Sequence, residues 1–294
     1  MYNKDNPLRV VTLCSGYDSQ CLALERLKRT RPGFDYKLVA WSEFDPESKT
    51  PLDKQPAVVA HNALFPQWKD RNLGDMTKID WTQVDDFDLL FYSTPCQSIS
   101  QAGLQHGFTE GSGTRSSIIW KVRDAVKIKR PKFLCLENVK AMVSGKFVGM
   151  FNLWQLELER LGYQNFTQVL NAKDYGVPQN RERIFLVSIR IDDEDNMPRY
   201  YFPKPFPLER KLKDVLEDNV DERYYLSDRM IETFYHRNEI NEQKGNGFRF
   251  TPTKGEGYAH SILTCPGQRP DDNFIEDEQD KELHQLCIER QGQD

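Results

Sequence analysis

Short apolar runs and helical spacings alternate through the first two-thirds of the chain. Leu8-Arg9-Val10-Val11-Thr12-Leu13 reads as a buried strand, and Leu22, Ala23, Leu24 and Leu27 fall at helical spacing across Gln20–Lys28. Tyr36–Trp41 is strand-like. Glu47–Ala60 reads as a helix whose start and middle are disturbed by Pro51 and Pro56. Phe87–Tyr92 predicts a strand, and Ser116–Lys129 a helix with an apolar stripe through Ile119, Val122 and Val126. Phe133–Leu136 is a strand, Phe147–Leu161 a helix and Ile184–Ile189 another strand. Strands separated by helices over this length predict right-handed crossovers. The expected fold is therefore α/β: a doubly wound, mostly parallel sheet with a smaller, irregular C-terminal region. Such sheets bind ligands at the carboxyl ends of their strands, and the polar clusters of this chain fall just after the predicted strands.

The texture changes after Arg190. Asp192-Asp193-Glu194-Asp195 is a solvated charge run, and Pro198, Pro203, Pro205 and Pro207 break regular structure. We expect a cofactor and catalytic domain over 1–190, a second region over 191–270 and an acidic tail over 271–294. The formal net charge of −5 for 294 residues argues at first against a nucleic-acid partner. From Asp271 onward, however, nine acids face two bases, so the tail carries −7 and the body +2, which leaves a DNA-facing surface open. No apolar run approaches the roughly 20 residues of a membrane span, and the N-terminus has no apolar signal core. These features predict a cytoplasmic protein. The six scattered cysteines favour neither a disulfide framework nor a metal site.

Six clusters are candidates for chemistry. In Cys14-Ser15-Gly16-Tyr17-Asp18 the glycine allows a sharp strand-to-helix turn and close approach of a ligand; an ordinary turn is the plainer reading. Glu43-Phe44-Asp45 offers an acid to ribose hydroxyls and a ring to a base, and Gly74-Asp75-Met76 offers an acid to an exocyclic amine. Both also fit capping turns. No GxxxxGK[ST] loop occurs, so an adenosine-containing cofactor is favoured over a triphosphate. Ser93-Thr94-Pro95-Cys96-Gln97-Ser98 places a thiol on a polar loop, where it can ionise and act as a nucleophile. Cys14, Cys21 and Cys135 lie in or beside apolar runs and read as packing residues. Glu137-Asn138-Val139 supplies a carboxyl at the same edge, or an ordinary cap. In Gln179-Asn180-Arg181-Glu182-Arg183 the two arginines alternate, so as strand residues they project to one face; a surface ion-pair cluster is the alternative.

In this order these segments resemble the cytosine-5 DNA methyltransferases: Ser15-Gly16-Tyr17, Glu43-Phe44-Asp45, Gly74-Asp75-Met76-Thr77, Pro95-Cys96-Gln97-Ser98-Ile99-Ser100, Glu137-Asn138-Val139 and Gln179–Arg183. Gly103–Trp120, with Gly111-Ser112-Gly113-Thr114-Arg115, is similar to the mobile loop that follows the family's Pro-Cys-Gln. The resemblance implies a Rossmann-like methyltransferase that binds S-adenosylmethionine and flips a cytosine out of double-stranded DNA. It implies that Cys96 attacks ring carbon 6, that protonated Glu137 donates to ring nitrogen 3, and that Arg181 and Arg183 hold the base and the loop. Gln97, Ser98 and Asn138 then shape the substrate pocket. Ser15, Gly16, Tyr17, Asp18, Glu43, Phe44, Asp75 and Pro95 line the cofactor site, with no metal.

Two departures stand out. Asp18 occupies the place of the second glycine that many members carry. The closing Arg-x-Leu-Thr-x-x-Glu and Gly-Asn-x-Val blocks have no counterpart; Gly245-Asn246-Gly247-Phe248 only mimics the second. Residues 200–270 then correspond to the target-recognition region or its first part. The expected activity is methylation of DNA cytosine, in a bacterial or phage restriction-modification or orphan setting. Two alternatives stay open: a truncated or split member that needs a second chain or only binds, and an RNA (tRNA) cytosine methyltransferase.

Overall fold

The computed structural model describes residues 2–96, 98–99, 106–218, 220–245, 249–261 and 273–276. The chain forms two units, neither continuous in sequence. The first comprises Met1–Leu170 and Arg183–Phe202; the second comprises Asn171–Glu182 and the described residues from Pro203 onward.

The first unit is built on a six-stranded sheet. Its strands are β1 (Leu8–Leu13), β2 (Tyr36–Ser42), β3 (Leu89–Tyr92), β4 (Phe133–Val139), β5 (Tyr163–Asn171) and, after the two-residue β6 (Gln179–Asn180), β7 (Glu182–Arg190). The sheet order is β2-β1-β3-β4-β7-β5. β1 pairs in parallel with β2 and β3, and β3 with β4, as crossover helices require. β7 departs from the expected pattern because it runs antiparallel to β4. Its first residues therefore lie at the carboxyl edge of the parallel strands, where the amino end of a parallel strand would not be.

Both faces of the sheet carry helices. Leu8 and Val10 of β1 join a core with Cys21 and Leu24 of α1 (Ser19–Thr30) and Val58 of α2 (Pro56–Leu64). Val11 and Leu13 point the other way. They join Val122, Ala125 and Val126 of α3 (Val122–Lys129) and Phe151, Trp154 and Leu158 of α4 (Val148–Arg160). This division is the period-two alternation of a strand buried on both faces. Each large side chain sequestered here, such as fully buried Trp154, stabilises the fold by roughly 2–3 kcal/mol. A register shift between Val10 and Val11 makes Val39 an extra residue in β2, since Val10 faces Leu38 and Val11 faces Ala40. The bulge changes parity. Ala40 consequently joins the α3/α4 core, while Trp41 returns to the α1/α2 core with Leu38.

Other elements differ locally from expectation. The helix expected over 47–60 begins only at Pro56, which takes the first helical position, where its missing N–H costs nothing. Leu52–Lys54 is a single 3₁₀ turn. The helix expected from Ser116 is a 3₁₀ segment, Arg115–Lys121, that passes into α3. Strand β5 is unheralded: Tyr-Gln-Asn-Phe-Thr-Gln-Val-Leu-Asn is mostly polar, as suits the end position of the sheet. Glu137, Asn138 and Val139 belong to β4 itself instead of following it.

In the second unit, β6 pairs in parallel with β8 (Ala259–His260). Helix α5 (Asp228–Gln243) packs its Phe234 against Phe250 and Phe274, with ring centroids 5.2 and 5.6 Å apart. Of the acidic tail expected over 271–294, only residues 273–276 are described, and Asn246, Gly247 and Phe248 lie outside the described residues.

Candidate active site

Strand register brings the polar clusters of the first unit to one edge. Leu13 pairs with Ser42 on one side and Tyr92 on the other, and Tyr92 pairs with Leu136. The residues that follow, Cys14–Asp18, Glu43–Asp45, Ser93–Cys96 and Glu137, therefore emerge side by side. Backbone bonds extend the register into the loops: Ser15 N donates to Ser42 O at 3.2 Å and Ser93 N to Leu13 O at 3.2 Å.

At the end of β1 the chain turns through three left-handed residues, Cys14 (φ 51°), Gly16 (φ 58°) and Asp18 (φ 66°). Only the glycine adopts this without cost, and open space lies where its Cβ would stand. Gly16 N donates to Glu43 Oε2 at 2.7 Å, which ties the turn to the end of β2. Burial raises the Glu43 carboxyl above its ordinary value, and the Gly16 N–H pulls it partly back. Asn72 braces the same segment, its Oδ1 accepting from Glu43 N at 3.2 Å. Phe44 and Tyr17 are exposed. Asp75 caps a 3₁₀ turn, Met76–Lys78. Burial raises its carboxyl, but bonds from Thr77 and Lys78 outweigh this and hold it below the ordinary value.

Asp18 does not face a ligand. Its side chain is fully buried, caps α1 by accepting from Cys21 N at 3.2 Å, and accepts from Thr12 Oγ1 at 2.8 Å. His61 Nε2 lies 3.5 Å away, and the His61 ring stacks on Trp41 at 3.6 Å. The carboxylate is thus used inward, in the helix cap and the bond to Thr12. Ser15 is buried as well, with its hydroxyl 3.5 Å from Ser42 O.

At the end of β3, Cys96 is half-buried on its loop. Burial pushes the Cys14 and Cys135 thiols up to about 12 and also raises Cys21, which leaves those three as packing thiols, as expected. The loop around Cys96 is strapped by side chains from elsewhere. Asn138 Nδ2 donates to Thr94 O at 2.8 Å, and Ser116 Oγ donates to Pro95 O at 2.6 Å. Ser98 N donates to Ser116 Oγ at 3.3 Å, and Ile99 N to Cys96 O at 2.9 Å. Asn138 is buried on the face of β4 opposite Glu137, and buried Ser98 offers its backbone to these bonds. Both help to hold the loop. Gln97 lies outside the described residues.

Glu137 and Arg183 meet across the antiparallel β4–β7 pair. Arg183 stands opposite Val139, so it shares a face with Glu137 one diagonal step away, and Arg183 Nε lies 3.1 Å from Glu137 Oε1. Arg181 does not share this strand. It precedes β7 in the second unit, its N–H donating to Asn171 Oδ1 at 3.0 Å, so the expectation that both arginines alternate along one strand is corrected. The residues missed by sequence reasoning are Ser116, Arg115, His61 and Asn72. Arg115 pairs with Asp45 and Glu47, each at 3.3 Å. Each is a single polar residue with no motif spacing of its own; only Arg115 and Ser116 had a pointer, at the end of the Gly111–Arg115 loop segment. Among the described residues no group of histidines, cysteines and acids could hold a metal ion, and no helix is long and apolar enough to cross a membrane.

The family model described as C-5 cytosine-specific DNA methylase matches residues 8–281. The Type II methyltransferase M2.ScrFI of Lactococcus lactis subsp. cremoris is 44% identical over 161 residues, 55% of this chain and 44% of that protein. The orphan methyltransferase M.Rho11sI of Bacillus phage rho11s is 31% identical over 247 residues, 75% of this chain and 46% of that protein. The chain thus spans about half the length of these relatives. A crystal structure of a mutant Spodoptera frugiperda DNMT2 shares the fold, with a TM-score of 0.68 at 17% identity over 98% of this chain and 80% of that one.

Proposed function

The chain belongs to the C-5 cytosine-specific DNA methylase family, and from that premise we propose that it transfers a methyl group from S-adenosylmethionine to carbon 5 of a cytosine in double-stranded DNA. The observation that carries this reading is the convergence of the Cys96 loop and the Glu137–Arg183 pair at the ends of adjacent strands β3 and β4. The residues at the ends of β1 and β2 fit the cofactor. Open space lies where a Cβ on Gly16 would stand; in this reading Glu43 accepts bonds from a ribose diol, exposed Phe44 gives a ring to adenine, and Asp75 gives an acid to its amino group. The bound cofactor supplies an electrophilic methyl group on a sulfonium.

The chain's own residues then do the following work. A stacked base cannot be reached from both faces, so the cytosine is taken out of the duplex. The Cys96 thiolate forms a bond to ring carbon 6, and the electron pair of the ring double bond shifts toward nitrogen 3. Glu137, protonated as it meets the base, gives its proton to nitrogen 3 and thereby neutralises that charge. Arg183, whose Nε lies 3.1 Å from Glu137 Oε1, holds that carboxyl at the strand end. Carbon 5, now electron-rich, accepts the methyl group. The carbon 5 proton then passes to solvent and the nitrogen 3 proton returns to Glu137, and the electron pairs so released restore the ring double bonds and expel Cys96 as thiolate. Arg181 is assigned to the base or the loop, and the region beyond 200 to target recognition. The bacterial and phage sources of the relatives support a role in methylating a bacterial or phage genome.

The test is incorporation of label from methyl-labelled cofactor into cytosine-containing duplex DNA, with tRNA in a parallel arm. Cys96→Ser is expected to lower transfer by at least about 10³-fold while cofactor binding, read by calorimetry, persists. A folded wild-type chain that labels neither substrate overturns the proposal, as does an active C96S variant. Labelling of tRNA alone moves the substrate to RNA. Labelling only after addition of a polypeptide with the two closing family blocks assigns those blocks to a partner chain.

A further inference from the structure

Ser116 is 1% exposed and sits at the start of the 3₁₀ segment that leads into α3. Its hydroxyl donates to Pro95 O, one residue before Cys96, and accepts from Ser98 N, two residues after it. A hydroxyl can do both at once because it has one proton and two lone pairs. An apolar side chain does neither and leaves a half-buried carbonyl and a buried amide without this partner. The turn that carries Ser116 is itself anchored. Ser117 N and Oγ both donate to Thr114 O, at 2.9 and 2.7 Å. Arg115 pairs with Asp45 and Glu47, just beyond Glu43 and Phe44. One dipeptide thus ties the loop of Cys96 to the end of β2.

We propose that Ser116 is a positioning residue for the methyl-transfer reaction: its hydroxyl closes the Pro95–Ser98 backbone around Cys96 and so aims the thiol. This rests on the function proposed above. Aim matters because attack needs the sulfur in near-contact with carbon 6 along one direction, and small misplacement is costly in rate. Ser116 touches neither substrate nor cofactor in this account, so its removal affects turnover and leaves cofactor affinity in place.

Ser116→Ala is expected to lower kcat by about 10- to 100-fold, with KM for S-adenosylmethionine unchanged. Alkylation of Cys96 by iodoacetamide, followed by peptide mass spectrometry without DNA, is expected to rise roughly threefold or more as the loop loosens. Alkylation of the packing thiol Cys21, followed in the same digest, is expected to stay at the wild-type level, which separates loosening of this loop from a general loss of stability. Ser116→Thr keeps the hydroxyl and is expected to bring both readouts back toward wild type. Ser116→Cys keeps the volume with weaker bonds and is expected to fall between, and it reports even if the alanine variant does not fold. Unchanged Cys96 alkylation in S116A or S116C overturns the proposal, as does a threonine variant that folds and yet behaves like alanine. The alkylation comparison holds even if the wild-type chain transfers no methyl group, so failure of the proposed activity and failure of this role are separable.

Discussion

At the end of β1 the backbone carries the shape of the site, whereas at the end of β3 side chains from other elements carry it. Cys14, Gly16 and Asp18 all hold positive φ within five residues, and none of the described residues of 93–99 does. The β1 turn is fixed by what its own residues tolerate: a glycine, and an aspartate whose carboxylate caps the next helix and binds Thr12. The β3 loop has ordinary backbone and is held at Thr94, Pro95 and Ser98 by Asn138 and Ser116. A turn that must bring amides close to a ligand gains from strain fixed locally. A loop that must present one thiol gains from external straps, each of which restrains a different backbone group.

The locally fixed β1 turn depends most on Asp18. Asp18→Ala removes the cap, orphans the Thr12 hydroxyl and leaves a left-handed residue without its favoured side chain, so it is expected to destabilise the protein by about 2–4 kcal/mol. Asp18→Gly keeps the backbone free to adopt the turn and is expected to cost clearly less. Chemical denaturation of both variants checks the order, and an equal loss would mean that the carboxylate alone matters at this position. Gly16→Ala is a smaller probe, because its Cβ meets no atom and only the backbone cost remains. The expected loss is about 1 kcal/mol, a fall in Tm of about 2–4 °C by calorimetry, with weaker cofactor binding.

The smallest effect sharpens the other half of the comparison, since straps count for little in water. Asp192 accepts from Arg190 and Lys132, and these bonds hold its carboxyl down at about 2. A depressed acid stabilises above its unfolded value and loses that contribution as pH falls toward the folded one, here between about pH 4 and pH 2. The side chain is 47% exposed, so screening keeps the contribution under about 1 kcal/mol. Tm of wild type and Asp192→Asn, compared across that window at low and high salt, should converge at the acid end and in high salt.

Much of the fold was legible in the chain. β1, β2 and the helices over 19–30 and 148–160 match their expected spans because each is long, strongly patterned and buried on a defined face. β5 escaped because an end strand needs little apolar signal. The antiparallel sense of β7 escaped because pattern gives a strand's faces and not its direction. The meeting of Cys96 and Glu137 at one sheet edge was legible from their places beside strong strands, whereas the contact of Arg183 with Glu137 was not. The reversal of Asp18 was not, since an aspartate after a glycine reads alike whether it turns to solvent or to the core.

What the sequence determined by itself is the alternation of strands and helices, the edge at which chemistry could gather, and the residue types present there. These follow from local periodicity and from spacing within one strand end. What only the tertiary structure decided is which residues meet. The Glu137–Arg183 pair depends on β7 running back beside β4, the Ser116 staple on a turn 18 residues beyond Ser98, and the Asp18–His61 contact on a bulge that returns Trp41 to the face where His61 stacks. Contacts between distant segments depend on strand order, direction and parity, and no local pattern encodes these.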